Sequence, residues 1–211
     1  MMRTRVKICG FTRVDDALEA ARLGVDAIGL VFYPGSPRNV NIEQARQIAY
    51  ALPAFVSVVA LFVDADAEII ENVLTQVPVD CIQFHGDETP EECRRYAKPY
   101  IKAIRVRDDT DFDAVQLQYH DASGILLDAY HPSMPGGSGQ SFNWQLIPSH
   151  SRLPIILAGG LSDENVGQAI EQVRPYAVDV SSGVEAGKGI KSAEKMAAFI
   201  KRTIRATENY D

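Results

Sequence analysis

Val6-Lys7-Ile8-Cys9-Gly10 is a short run in which apolar and polar residues alternate before a glycine. Side chains of an extended chain point alternately to two faces, so Lys7 and Cys9 share one face and Val6 and Ile8 the other. The same arrangement returns further on. Gln83 with His85, Leu126 with Asp128, and Asp179 with Ser181 share one face, while Phe84, Leu127 and Val180 occupy the opposite, apolar face. Polar residues thus collect at the C-terminal ends of several strands and face one way.

Around these runs, β-branched apolar segments alternate with segments of helical period. The pattern predicts strands over 6–9, 27–33, 56–63, 81–85, 100–106, 124–128, 154–158 and 177–181. Helices are expected after Thr12, as N-cap, with Gly24 at the end, and after Asn41, with Gln44 completing a capping box. Further helices are expected over 67–76, 90–97, 112–120, 144–149, 163–174 and 193–205, the last presenting Ala193, Met196, Ala197, Ile200 and Ile204 on one face. Strict alternation makes parallel strands joined by right-handed crossovers. Eight units close into a barrel or lie open as a doubly wound sheet, and the one-sided polar strand ends favour the barrel, whose active sites sit at that mouth. The expectation is an α/β chain forming a single (β/α)8 TIM barrel over residues 1–211.

Composition agrees with that architecture and excludes others. The 211 residues are 46 % hydrophobic and 23 % charged, ordinary for a globular protein. No apolar run approaches the roughly 20 residues of a membrane helix, and the N-terminus lacks the pattern of a signal peptide, so a cytoplasmic location is expected and no membrane partner. The net charge of −7 argues against nucleic acid but not against a small anion held by local N–H groups. Cys9, Cys81 and Cys93 form no CxxC, so neither a disulfide framework nor a zinc site is expected. No feature demands a dimer, and a monomer is favoured.

Several residues are candidates for chemistry. A free cysteine is usually a small buried hydrophobe, but Cys9 ends a strand before glycine, where a thiol of lowered pKa would act as base or nucleophile. Lys7 shares its face. Asp128 closes an apolar strand, so it is either a structural acceptor of loop N–H groups or a carboxyl of altered pKa, and the same choice applies to Asp179. Ala158-Gly159-Gly160-Leu161 and Ser181-Ser182-Gly183-Val184-Glu185 follow adjacent strands, and small residues there let backbone N–H groups reach an anion, with a short extra helix expected near Ser182. Glycine after a strand is also ordinary turn chemistry, but the paired signal favours phosphate. The glycine-rich stretch from Met134 to Ser141 lacks the ending of a Walker loop and suggests a lid. Arg38 could fork onto a carboxylate, and His85 could line the site or carry a proton, whereas His120, His131 and His150 suit the surface and Cys81 and Cys93 suit packing.

Together these segments resemble the phosphoribosylanthranilate isomerase family. The resemblance rests on Val6-Lys7-Ile8-Cys9-Gly10, residues 29–36 with Arg38, Gln83-Phe84-His85-Gly86, Leu126-Leu127-Asp128, Gly136-Gly137-Ser138-Gly139, Ala158-Gly159-Gly160-Leu161 and Val178-Asp179-Val180-Ser181-Ser182-Gly183-Val184-Glu185. It spans the chain and departs at Gln140, where lysine is frequent in the family, and at Asn143, where aspartate is. It implies an Amadori rearrangement of phosphoribosylanthranilate in tryptophan biosynthesis without metal or cofactor. It makes Cys9 the general base and Asp128 the general acid, sets Arg38 on the anthranilate carboxylate, and lines the sugar site with Asp179, Gln83 and His85. Gly159, Gly160, Ser181, Ser182 and Gly183 would surround the phosphate. The nearest alternative is the histidine-pathway isomerase, expected to carry aspartate where this chain has Cys9. A non-catalytic sugar-phosphate sensor is the alternative from another class.

Overall fold

In the computed structural model, which describes residues 3–129 and 143–208, eight parallel strands close into a barrel. They are β1 (Arg5–Cys9), β2 (Ala27–Val31), β3 (Ser57–Phe62), β4 (Cys81–Phe84), β5 (Tyr100–Val106), β6 (Gly124–Ala129), β7 (Ile155–Leu157) and β8 (Ala177–Val180). Each pairs with its neighbours in sequence, and β1 closes the ring on β8 with Lys7 opposite Asp179. Outside lie α1 (Val14–Arg22), α2 (Ile42–Ala51), α3 (Ala67–Gln76), α4 (Pro90–Arg94), α5 (Phe112–Gln118), α6 (Val166–Val173) and α7 (Ala193–Glu208). A hairpin of β9 (Glu185–Gly187) and β10 (Ile190–Lys191) stands between β8 and α7.

The period-two pattern places the core. Val6, Ile8, Ile28, Leu30, Phe84, Leu127 and Val178 turn outward to meet Ala17, Ile48, Ile70, Met196 and Phe199 of the helices. Each large side chain buried there contributes about 1.5–3 kcal/mol. Inside the barrel, Ile101, Ala103, Leu126, Ile156, Ala158 and Ala177 fill one end, and Cys9, Val31 and Leu61 form a smaller apolar group. The interior is packed, and the polar strand ends open at the mouth, where barrels of this kind bind their ligands.

Several local expectations are corrected. The helix expected over 144–149 is a single 3-10 turn, Trp144–Leu146, because Ile147 precedes Pro148 and is pushed into extended backbone. Thr12 does not cap α1, since its hydroxyl donates to the Gly189 carbonyl at 2.6 Å, and the cap position falls to Arg13, which makes no side-chain cap bond. The helix expected from residue 163 begins at Val166, the preceding residues being folded into a turn in which Ser162 N–H donates to Asn165 Oδ1. The extra helix near Ser182 is one 3-10 turn, Ser182–Val184, too short for a substantial dipole. The capping box of Asn41 and Gln44 is present, and α3 spans the expected residues. The lid stretch, Gln140 and His131 lie outside the described residues.

Candidate active site

Cys9 is the last residue of β1, with its side chain inside the barrel and 5 % exposed. Beneath it on the same face, Lys7 Nζ donates to Asp179 Oδ1 across the β1–β8 seam at 2.9 Å. Both partners are buried. Burial opposes the Lys7 charge, but attraction from Asp179 and Cys9 outweighs it and holds the ammonium above its ordinary pKa. Burial pushes the Cys9 thiol up, with the Lys7 and Lys191 charges opposing that shift and Asp179 adding to it. Burial thus disfavours the thiolate, while two neighbouring cations favour it.

Asp128, near the end of β6, is buried and reaches the interior with Leu126. Its Oδ1 accepts the Ala129 N–H at 2.9 Å, and its Oδ2 lies 3.1 Å from His85 Nε2. His85 Nδ1 lies 2.9 Å from Gln83 Nε2, so the three side chains form a buried chain from β4 to β6. With the Gln83 amide in this orientation, Nδ1 accepts and Nε2 carries the proton toward Asp128. Reversing the amide puts the proton on Nδ1 and lets Nε2 accept from a protonated Asp128. In the ring of strands β6 stands three steps from β1, so Cys9 and Asp128 approach the mouth from separate sides.

The two small-residue loops meet at the mouth between them. Gly159 and Gly160 follow β7, and Ser181, Ser182 and Gly183 follow β8. All five are half-buried. Gly183 passes so close to Leu161 that an added Cβ would run into the Leu161 carbonyl oxygen. Ser181 Oγ donates to the Cys9 carbonyl at 3.0 Å, tying this loop to the end of β1. Among the described residues, the backbone N–H groups of Gly159, Gly160, Ser182 and Gly183 donate to no protein acceptor. Unpaired N–H groups from adjacent loops, half open to solvent, suit an anion such as phosphate.

Arg38 sits in the loop after β2, its N–H held by Ser36 Oγ at 3.1 Å. Its guanidinium grips Glu185 through Nε at 2.7 Å and Nη2 at 2.8 Å. Gly10 lies under the Arg38 stem, has φ +82°, and has no room for a Cβ against Arg38 Cδ. Glu185 in turn takes Lys191 Nζ at 2.9 Å. Arg38 and Lys191 together overcome burial and hold the Glu185 carboxyl below its ordinary pKa. Lys191 also donates to the carbonyls of Cys9 at 2.6 Å and Ser181 at 3.1 Å.

Every expected site residue within the described range therefore lies in or beside the mouth, although Arg38 is tied to a protein carboxylate. Sequence reasoning missed Lys191, which sits beyond the last motif in a two-residue strand without helical or strand period to mark it. It left Glu185 without a role, and its partner is 147 residues away in sequence. It also missed the buried pair of Lys102 and Glu88, 2.8 Å apart, in which Glu88 accepts from the N–H of Gly86 at 2.9 Å and so fixes the loop after His85. Cys81 and Cys93 are pushed up by burial to about 11 and about 12, as inert packing thiols would be.

Comparison with known proteins points one way. Residues 6–202 match the family model described as N-(5'phosphoribosyl)anthranilate (PRA) isomerase. The N-(5'-phosphoribosyl)anthranilate isomerase of Azotobacter vinelandii is 58 % identical over 206 residues, covering 98 % of this chain and all of that protein. The crystal structure of phosphoribosyl anthranilate isomerase from Thermotoga maritima matches with a TM-score of 0.87 and 44 % identity, over 95 % of this chain and 98 % of that one. A phosphoribosyl anthranilate isomerase in complex with reduced 1-(o-carboxyphenylamino)-1-deoxyribulose 5-phosphate matches with a TM-score of 0.84 and 43 % identity, over the same shares of the two chains. The chain belongs to the N-(5'-phosphoribosyl)anthranilate isomerase family.

Proposed function

We propose that this chain isomerises N-(5'-phosphoribosyl)anthranilate to 1-(2-carboxyphenylamino)-1-deoxyribulose 5-phosphate in tryptophan biosynthesis. The observation that carries the reading is the placement of a thiol and a carboxyl, Cys9 and Asp128, on separated strands of one barrel mouth, beside loops with unpaired N–H groups. In this reading the phosphate rests on Gly159, Gly160, Ser181, Ser182 and Gly183. The anthranilate carboxylate meets Arg38. Asp179, Gln83 and His85 line the sugar.

The chemistry needs one acid and one base. Asp128 protonates the ribose ring oxygen, the C1–O bond breaks, and the nitrogen lone pair forms a Schiff base. Cys9 then removes the C2 proton, and the electrons of that C–H bond flow toward the iminium nitrogen. The enolamine tautomerises to the ketone. The substrate nitrogen is the electron sink, so the reaction calls for no cofactor. Burial alone would leave Cys9 a poor base, but the adjacent Lys7 and Lys191 charges and the arriving iminium cation favour its thiolate. His85 can hold Asp128 in either protonation state, according to the orientation of the Gln83 amide.

The site residues named all come from one chain, so the reading needs no second copy and favours a monomer over a homodimer, with residues 1–211 acting as one domain. A cytoplasmic location suits it, and among the described residues no helix is long and apolar enough to cross a membrane. The test is to add freshly made phosphoribosylanthranilate and follow its fluorescence. Enzyme-dependent loss with formation of the ribulose product supports the assignment, and an unchanged decay rate removes it.

A further inference from the structure

An arginine guanidinium presents five N–H groups along its edges and can serve two carboxylates at once. Glu185 occupies the edge formed by Nε and Nη2 of Arg38. The edge formed by Nη1 and the second hydrogen of Nη2 makes no bond within the described residues. Arg38 is held at three points along its length. Glu185 grips it bidentately, the Gly10 backbone lies under its stem, and the Ser36 hydroxyl fixes its backbone.

Glu185 is itself held. Lys191, with no exposed side-chain surface, spends its three N–H groups on Glu185 Oε1 and the carbonyls of Cys9 and Ser181. Its ammonium also lies 5.7 Å from the centre of the Phe11 ring, and its backbone N–H is anchored on Asp16 at 2.9 Å. Two cations and one anion leave this buried cluster with a net charge of +1. The lysine that orients the arginine thus grips the peptide of Cys9 as well.

We propose that Glu185 and Lys191 are positioning residues that make Arg38 a selector for the substrate carboxylate, and that they lock its distance from the Cys9 base. This rests on the reading of the site as one for phosphoribosylanthranilate. A lone, mobile arginine would attract the carboxylate but pay rotamer entropy to hold it. An arginine with one edge already fixed does not. A lysine in place of Arg38 could not serve both carboxylates in a plane.

The test compares phosphoribosylanthranilate with phosphoribosylaniline, which lacks the carboxylate, as substrates of the full chain. The measured quantity is the ratio of the two kcat/KM values. In Glu185→Gln the ratio is expected to fall about 10- to 100-fold, mostly through KM for the anthranilate substrate. Glu185→Asp, whose carboxylate stops about one methylene short of the guanidinium, moves it the same way, and either variant decides the matter should the other fail to fold. Glu185→Gln in an Arg38→Met background is expected to leave the ratio where Arg38→Met alone puts it. Lys191→Met lowers the ratio and also kcat for both substrates. A ratio within about twofold of wild type in Glu185→Gln and Glu185→Asp, including equal loss of both activities, overturns the proposal. Failure of the wild-type chain to turn over phosphoribosylanthranilate would instead remove the underlying reading.

Discussion

The placement of Cys9 and Asp128 at the barrel mouth was legible in the sequence because each lies at or next to the end of an apolar strand, where a polar side chain has to face either a ligand or a protein partner. Their tuning was only partly legible. Lys7 shares the face of Cys9 by simple alternation, but its pairing with Asp179 needs the ring to close, and Lys191 arrives from a hairpin that no periodicity announces. Single removal of either proposed reacting group, as Cys9→Ala or Asp128→Asn, is expected to lower kcat by about 10²–10⁴-fold in steady-state assays. The charges around Cys9 give a signed test. In the proposed mechanism the thiolate is the active form, so kcat/KM is expected to climb with pH until Cys9 ionises. Lys7 favours the thiolate and Asp179 opposes it. Lys7→Met therefore moves the acid limb of the pH–rate profile to higher pH, and Asp179→Asn moves it to lower pH. Shifts of the same sign in both variants would contradict this account of the thiol.

Strands were legible to within about two residues, because the β-branched runs and their alternation are local properties of the chain. Helices were less so. Pro148 reduces one expected helix to a single 3-10 turn, and Thr12 spends its hydroxyl on Gly189 rather than on the start of α1. The loops after β7 and β8 were recognised by their small residues, yet their mutual contact was not visible. Gly183 fits against the Leu161 carbonyl only without a side chain. Gly183→Ala is therefore expected to force the two loops apart. Its KM for the phosphorylated substrate should rise about 10- to 100-fold, the weight of charge-assisted hydrogen bonds, and inhibition by inorganic phosphate should weaken in parallel.

The closed barrel followed from strict alternation and from polar strand ends that all face one way. What alternation could not show is which outward position is charged. Lys102 faces the helices with Phe84 and Ile125, where an apolar residue is the rule, and it is stabilised there by Glu88 and the Gly86 carbonyl at 2.7 Å. Lys102→Met leaves a buried carboxylate without its cation and is expected to cost about 3–5 kcal/mol, read from the denaturant midpoint. The stripe expected on α7 is likewise rotated, with Phe199 and Thr203 buried and Ile204 42 % exposed, because the helix packs against α6 as well as against the barrel. At this scale the proposed function depends on a sugar phosphate lying across the mouth between Cys9 and Asp128. A crystal structure of the chain with reduced 1-(o-carboxyphenylamino)-1-deoxyribulose 5-phosphate tests that most directly. The phosphate is expected on the loops of Gly159 and Ser182, the carboxylate on Arg38, and Cys9 and Asp128 on opposite sides of the sugar chain. A phosphate bound elsewhere, or either reacting group out of reach of the sugar, would contradict it.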